Sequence, residues 1–152
     1  DHAFRVIYCE KGIEALDIID CATITQDELA SALTTLIPAG LKALMLNYCG
    51  RCFGTKAVDA IVSACNNGAC NLFALSIGGA YLLNDADISR LIGAVSLSLT
   101  SIELKACHQI GPLACNAIAT NFEKSLSGLT ELALEEIPLK KHDLMTIASS
   151  NA

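Results

Sequence analysis

Cys49-Gly50-Arg51-Cys52 is a Cys-x-x-Cys, and Cys65 and Cys70 follow it. Four thiolates are enough ligands for a structural zinc ion. The interval from Cys52 to Cys65 suits such a site, but four residues rather than two separate Cys65 from Cys70. The surrounding pattern also places Cys49 in a core and Cys65 on the apolar face of a helix. These thiols are therefore read as buried or incidental. No metal and no cofactor is expected, and a redox role is set aside. His2, His108 and His142 fall at a terminus, in a loop after a core Cys and at a helix start. None stands near a Cys or Ser with a third, orienting group, as nucleophilic catalysis requires. No Gly-x-x-x-x-Gly-Lys-Ser/Thr loop is present to cradle phosphates. Gly78-Gly79 follows a strand at an outward turn, where small residues relieve crowding. The expectation is a protein that is not an enzyme.

The elements that position these residues recur along the chain. Ile13-x-x-Leu16-x-Ile18-x-x-Cys21 is followed by Leu41-x-x-Leu44-x-Leu46-x-x-Cys49 and by Leu72-x-x-Leu75-x-Ile77-x-x-Ala80. Leu99-x-x-Ile102-x-Leu104-x-x-Cys107 and Leu129-x-x-Leu132-x-Leu134-x-x-Ile137 complete the series, with the second apolar position stepping by 28, 31, 27 and 30 residues. That period and pattern mark a leucine-rich repeat. Within a unit, Leu44 and Leu46 alternate with Ala43, Met45 and Asn47, the period of a half-buried strand. Val58, Ile61, Val62 and Cys65 then share one face of a helix that Asn66-Asn67-Gly68 ends. Thr25-Gln26-Asp27-Glu28 is a capping box before the stripe Leu29, Leu33 and Leu36. Asn84-Asp85-Ala86-Asp87 opens a helix carrying Ile88, Leu91, Ile92 and Val95. Pro138 lies near the start of the last helix, and Gly111-Pro112 precedes Leu113, Ile118 and Phe122. The 31-residue second interval predicts an enlarged loop from Asn66 to Asn71. The expected fold is α/β: a right-handed leucine-rich-repeat solenoid, with a parallel β-sheet on the concave face and helices on the convex face. Residues 1–152 would form a single domain of about five repeats.

Composition narrows the function classes. The 152 residues are 53% hydrophobic and 17% charged, with a net charge of −6. Nucleic-acid binders usually carry a basic stripe that neutralises phosphates. Here the cations are scattered apart from Lys140 and Lys141, so no direct nucleic-acid contact is expected. No apolar run approaches the roughly 18 to 20 residues that span a bilayer, and no membrane role is expected. Asp1-His2-Ala3-Phe4 does not resemble a secretory signal. The missing initiator Met and the apolar outer repeats, which have no polar cap, lead us to expect a fragment of a longer protein. Cys21, Cys49 and Cys107 share a repeat position with Ala80 and Ile137, as a small buried apolar site would allow. All eight Cys are read as reduced thiols in a cytoplasmic or nuclear protein.

With Cys at the ninth motif position and the element Ile24-Thr25-Gln26-Asp27-Glu28-Leu29, the chain resembles the cysteine-containing leucine-rich repeats from about Ile13 to Ala148. That subfamily occurs in F-box substrate receptors of cullin-type ubiquitin ligases and in the fungal leucine-rich-repeat nucleotide-excision-repair factor. The resemblance implies a protein-recognition module, the substrate- or partner-binding part of a ubiquitin-ligase or DNA-repair-associated complex. Any ligase adaptor would then bind through sequence outside this stretch, which contains no F-box. The alternative is a structural or regulatory repeat scaffold without a ligase role. The outward strand positions read Ala15, Asp17, Ile19; Ala43, Met45, Asn47; Ala74, Ser76, Gly78; Ser101, Glu103, Lys105; and Glu131, Ala133, Glu135. Strands about 4.8 Å apart make these a ladder roughly 20 Å long. Candidate partner contacts are Asp17, Ile19, Met45, Asn47, Ser76, Glu103, Lys105, Glu131 and Glu135. Tyr48, Phe53 and Tyr81 join them in the loops after the strands, where aromatic side chains anchor partners.

Overall fold

Period-2 alternation and helix caps divide the chain into strand–helix units. The computed structural model describes residues 3–9, 12–20, 23–95, 98–124 and 129–149, with side chains described from residue 13 onward except at 121–124. The elements are β1 (Ala3–Cys9), β2 (Gly12–Ile19), α1 (Gln26–Leu36), β3 (Ala43–Asn47), α2 (Thr55–Asn66), β4 (Ala74–Gly78), α3 (Asp85–Val95), β5 (Ser101–Lys105), α4 (Pro112–Lys124), β6 (Glu131–Glu135) and α5 (Lys141–Ser149). His2 and Cys21 lie outside the described residues, as do the side chains of Cys9 and Phe122.

All six strands form one sheet in the order β1-β2-β3-β4-β5-β6. From β2 to β6 they run parallel and alternate with the five helices. The sequence period falls in register: Leu16, Leu44, Leu75, Ile102 and Leu132 stand side by side. Ile18, Leu46, Ile77, Leu104 and Leu134 do the same. In β3 to β5 the apolar members of these rows are buried, and in β6 they are half-buried. The helices bury Leu29, Leu33, Val58, Ile61, Ile88, Leu91, Ile92 and Ile118 in the same cluster. Truncating one such Leu to Ala costs about 2–5 kcal/mol in a well-packed core.

The five-strand expectation omitted β1, which pairs antiparallel with β2 and sets Arg5 opposite Asp17. β2 is therefore an inner strand, not the sheet edge that an uncapped first repeat implied. The run Phe4-Arg5-Val6-Ile7-Tyr8 before Gly12 was a signal for it, being rich in residues that favour strands. Helix faces also differ in detail. Ala57, Ala64 and Ile37 are buried, whereas Leu36 is only half-buried and Leu113 is 53% exposed.

Both local caps form as their residue types require. The Thr25 hydroxyl accepts the Glu28 amide at 3.2 Å, and Glu28 accepts the Thr25 amide at 2.8 Å. These bonds from the Thr25 backbone and hydroxyl hold the Glu28 carboxyl below its ordinary pKa. At α3 the Asn84 side chain accepts the Asp87 amide at 2.9 Å.

Candidate functional site

The parallel register sets the outward side chains in three rows. Asp17, Met45, Ser76, Glu103 and Ala133 form the middle one. Ile19, Asn47, Gly78, Lys105 and Glu135 lie toward the strand ends, and Ala15, Ala43, Ala74, Ser101 and Glu131 toward the starts. Most are half-exposed, and Glu131 and Glu135 are exposed. Ala15, at 9% exposure, is buried although it shares the outward face, because its side chain is small and both neighbouring strands flank it.

Neighbouring strands couple these residues in pairs. Ser76 donates to Glu103 at 2.5 Å, and Ser101 donates to Glu131 at 3.1 Å. Lys105 lies 2.8 Å from Glu135 and 4.0 Å from Glu136. The hydrogen bond to Glu135 and its charge raise the Lys105 pKa. Met45, Ser76, Ser101, Glu103, Glu131 and Ala133 surround a depression of about 240 Å³. Among the outward positions of β2 to β6 Lys105 is the one cation, against Asp17, Glu103, Glu131 and Glu135. This surface favours a cationic partner group over an anion, since like charges repel and opposite charges complement.

The loops after the strands add an aromatic rim. Each parallel strand ends in a left-handed residue: Asp20 (φ 50°), Tyr48 (57°), Gly79 (64°), Ala106 (50°) and Glu136 (53°). Four of them extend the sheet ladder, their amides donating to Asn47, Gly78, Lys105 and Glu135 carbonyls at 2.8–2.9 Å. For a side chain other than Gly that conformation is uncommon, so its recurrence marks a backbone demand of the unit. Gly79 meets the demand without a Cβ, and a Cβ on Gly78 would lie 2.8 Å from Asn47 Oδ1. Tyr48 and Tyr81 are 57% and 56% exposed. The Tyr81 ring stacks on His108 with centroids 6.2 Å apart. Phe53 does not belong to this rim. It is 1% exposed, because its amide and that of Cys52 both bond the Cys49 carbonyl and wind the turn inward.

The same turn explains the ninth motif position. The Cys49 thiol donates to the Ile18 carbonyl of the neighbouring strand at 3.3 Å, and the Cys107 thiol to Ile77 at 3.7 Å. Cys there supplies a weak donor as well as a small apolar volume. Burial raises the Cys107 pKa, and burial with the charges of Asp143 and Asp85 pushes Cys115 up to about 11. Cys49 and Cys52 are buried in the core, whereas Cys65 and Cys70 are half-buried, with Cys65 the largest influence lowering the Cys70 pKa to about 6. The four are thus not one donor set. Among the described residues no three or more His, Cys, Asp or Glu are grouped as metal ligands, and none of the six described Cys is in a disulfide.

A bridge between units escaped the sequence reading altogether. Asp85 opens α3, but its carboxylate accepts amides at the start of α4: Gly111 at 2.8 Å, Leu113 at 3.0 Å and Ala114 at 2.9 Å. A side chain on Gly111 would crowd that carboxylate, since a Cβ would lie 2.8 Å from Asp85 Oδ2. The negative charge also suits the positive end of the helix. Asp27–Lys56 and Asp59–Arg90 ion pairs, each 2.6 Å, link successive helices on the exposed side. His142 lies 2.9 Å from Asp143. No helix among the described residues is long and apolar enough to cross a membrane. Comparison with known proteins finds no family model, no curated protein and no solved structure that matches this chain.

Proposed function

We propose that the chain is a right-handed leucine-rich-repeat solenoid of the cysteine-containing class that recognises a protein partner on its sheet face. In this reading the sheet is concave, the helices lie on the convex side, and the domain is part of a longer cytoplasmic or nuclear protein. The observation that carries the reading is the depression of about 240 Å³ on the sheet face, walled by Glu103 and Glu131 and floored by small side chains. Met45 offers an adaptable apolar contact at its margin. A basic side chain of the partner fits the charge, and Tyr48 and Tyr81, exposed beside that surface, offer aromatic contacts to the partner. The ninth-position thiols and the in-register repeats support the family reading. The domain then serves as the substrate- or partner-binding part of a ubiquitin-ligase or DNA-repair-associated complex, with any ligase adaptor held by sequence outside residues 1–152.

Affinity capture with the intact parent protein tests this, comparing wild type with a variant carrying Glu103→Lys, Lys105→Glu and Met45→Ala. Cullin adaptors in both captures, with a further protein lost only from the folded variant, support a ligase receptor that reads its substrate on this face. Identical captures without adaptors favour the alternative, a structural or regulatory scaffold.

A further inference from the structure

Each parallel strand from β2 to β5 binds the next one at both ends in the same way. After the strand, the left-handed residue donates its amide to the next strand's carbonyl, as Asp20, Tyr48, Gly79 and Ala106 do to Asn47, Gly78, Lys105 and Glu135. Before the strand, the carbonyl of Glu14, Lys42, Phe73 or Thr100 accepts an amide from the entry to the next strand. Glu136 has the same left-handed backbone after β6, with a φ of 53°, but β6 is the last strand of the sheet. Its outer edge therefore presents backbone donors and acceptors in the geometry that the inner strands use for pairing.

The flank beside that edge is apolar where earlier units are sealed. Backbone bonds align the five helices position by position: the amides of Leu29, Val58, Ile88, Cys115 and Leu144 each donate to the residue four before, at the helix cap. The first four are at most 1% exposed, and Leu144 is 53% exposed. Just before those caps Phe53, Leu83 and Ile110 are buried, whereas Leu139 is half-buried. At the ninth motif position Cys49, Ala80 and Cys107 are buried, and Ile137 is half-buried. The last unit of a stacked array needs a polar outer face, but this one keeps the apolar residue types of an inner unit. At the other end of the sheet β1 covers β2, and no described strand does the same for β6. Residues 150–152 reach at most about 10 Å, too short to run from α5 back along the strand.

We propose that the β6 edge and this flank bind an extended segment of a partner protein, added in parallel as a further strand, with basic side chains on either side of an apolar pair. The register of β5 on β6 fixes the pattern. Residues opposite Glu131, Ala133 and Glu135 lie on the outward face, and those opposite Leu132 and Leu134 lie on the core side. Glu131, Glu135 and Glu136 bring three carboxylates to this edge, and Lys105 lies 2.8 and 4.0 Å from the last two. Basic residues opposite Glu131 and Glu135 complement that excess, and acidic ones there would be opposed directly. The recognised segment thus reads basic, apolar, any residue, apolar, basic. Main-chain bonds to the edge supply affinity, and the side chains set specificity. A second copy of this chain fits worse. Two-fold antiparallel pairing of two β6 strands about Ala133 sets Glu131 of each copy against Glu135 of the other.

The test adds an end-capped peptide, Lys-Val-Thr-Val-Lys, to the intact isotope-labelled protein and follows backbone amide shifts by NMR. The expected result is that shifts cluster on β6 and that the Glu136 amide exchanges more slowly with solvent. Replacing both Lys of the peptide by Glu should weaken binding by about tenfold, since two attractive pairs become repulsive. N-methylation at the first Lys and the Thr, whose amides would face β6, should abolish it. Glu131→Gln with Glu135→Gln should weaken the basic peptide and leave a neutral Thr-Val-Thr-Val-Thr peptide unaffected. Equal binding of the acidic or N-methylated peptide would overturn the proposal, as would no shifts at millimolar peptide. Shifts centred on Met45 and Ser76 would place the peptide in the sheet-face depression and overturn the edge assignment, while leaving the sheet-face reading standing. Concentration-dependent dimers that the peptide dissolves would make a second copy the occupant and overturn it too. The wild-type titrations decide the question even if the double variant fails to fold.

Discussion

Two kinds of cysteine occupy this molecule. Cys49 and Cys107 sit just past the ends of β3 and β5, buried, with their thiols donating to carbonyls of the neighbouring strand. Cys65 and Cys70 sit at the opposite end of the strand–helix unit, half-buried, and Cys65 is the largest influence lowering the Cys70 pKa to about 6. The side chain is the same, and the difference lies in which partner the backbone presents. A carbonyl oxygen stabilises only the protonated thiol, and burial adds to that preference. A neighbouring thiol instead favours the anion of its partner, as Cys65 does for Cys70. Position within the repeat therefore separates sealed thiols from partly accessible ones, a distinction that cysteine count alone conceals.

The comparison breaks most severely if the core behind Cys49 is not a core. Leu46, fully buried in β3, should tolerate no charge: Leu46→Asp is expected to cost several kcal/mol and abolish cooperative unfolding. Unchanged thermal melting would overturn the strand register. A smaller perturbation separates the two thiol classes. Cys49→Leu overpacks a sealed site and should lose about 1–3 kcal/mol in urea unfolding. Cys70→Ala, at a half-exposed loop, should stay within about 0.5 kcal/mol. Equal losses would erase the distinction.

Alkylation against pH sharpens it chemically. Because the Cys70 pKa is lowered to about 6, its thiolate is the main form above that pH and is lost as pH falls through it. Iodoacetamide labelling of Cys70 should therefore be level above neutrality and fall about tenfold per unit well below pH 6. Cys107, raised by burial, should still be gaining rate at the alkaline end of the same titration. Parallel profiles for the two would contradict the assigned environments. The smallest effect concerns the inter-unit cap. Asp85→Ala should cost about 1 kcal/mol, read by chemical denaturation, through the α4 amides it leaves unpaired. It should also lower the Cys115 pKa, since the Asp85 charge helps to raise it.

Much of the sheet was legible beforehand. Leu44 and Leu46 point inward, Met45 and Asn47 outward, and the same alternation holds in β4 and β5 except at Gly78, which is buried though outward. The face assigned to Asp17, Met45, Ser76, Glu103 and Lys105 is therefore assembled side by side, as its spacing implied. Reading Phe53 as a rim residue failed because loop placement in a sequence does not reveal which way the turn winds.

By itself the sequence determined which residues of β3 to β5 face the core and how α1 and α3 are capped. Those outcomes depend on side chains two to four positions apart, as in Thr25 with Glu28 or Asn84 with Asp87. Only the tertiary structure decided that β1 would flank β2 and that Asp85 would cap α4. Asp85 and Ala114 are 29 residues apart, about one repeat. Their meeting depends on the register in which whole units stack, a property that no window of neighbouring residues contains.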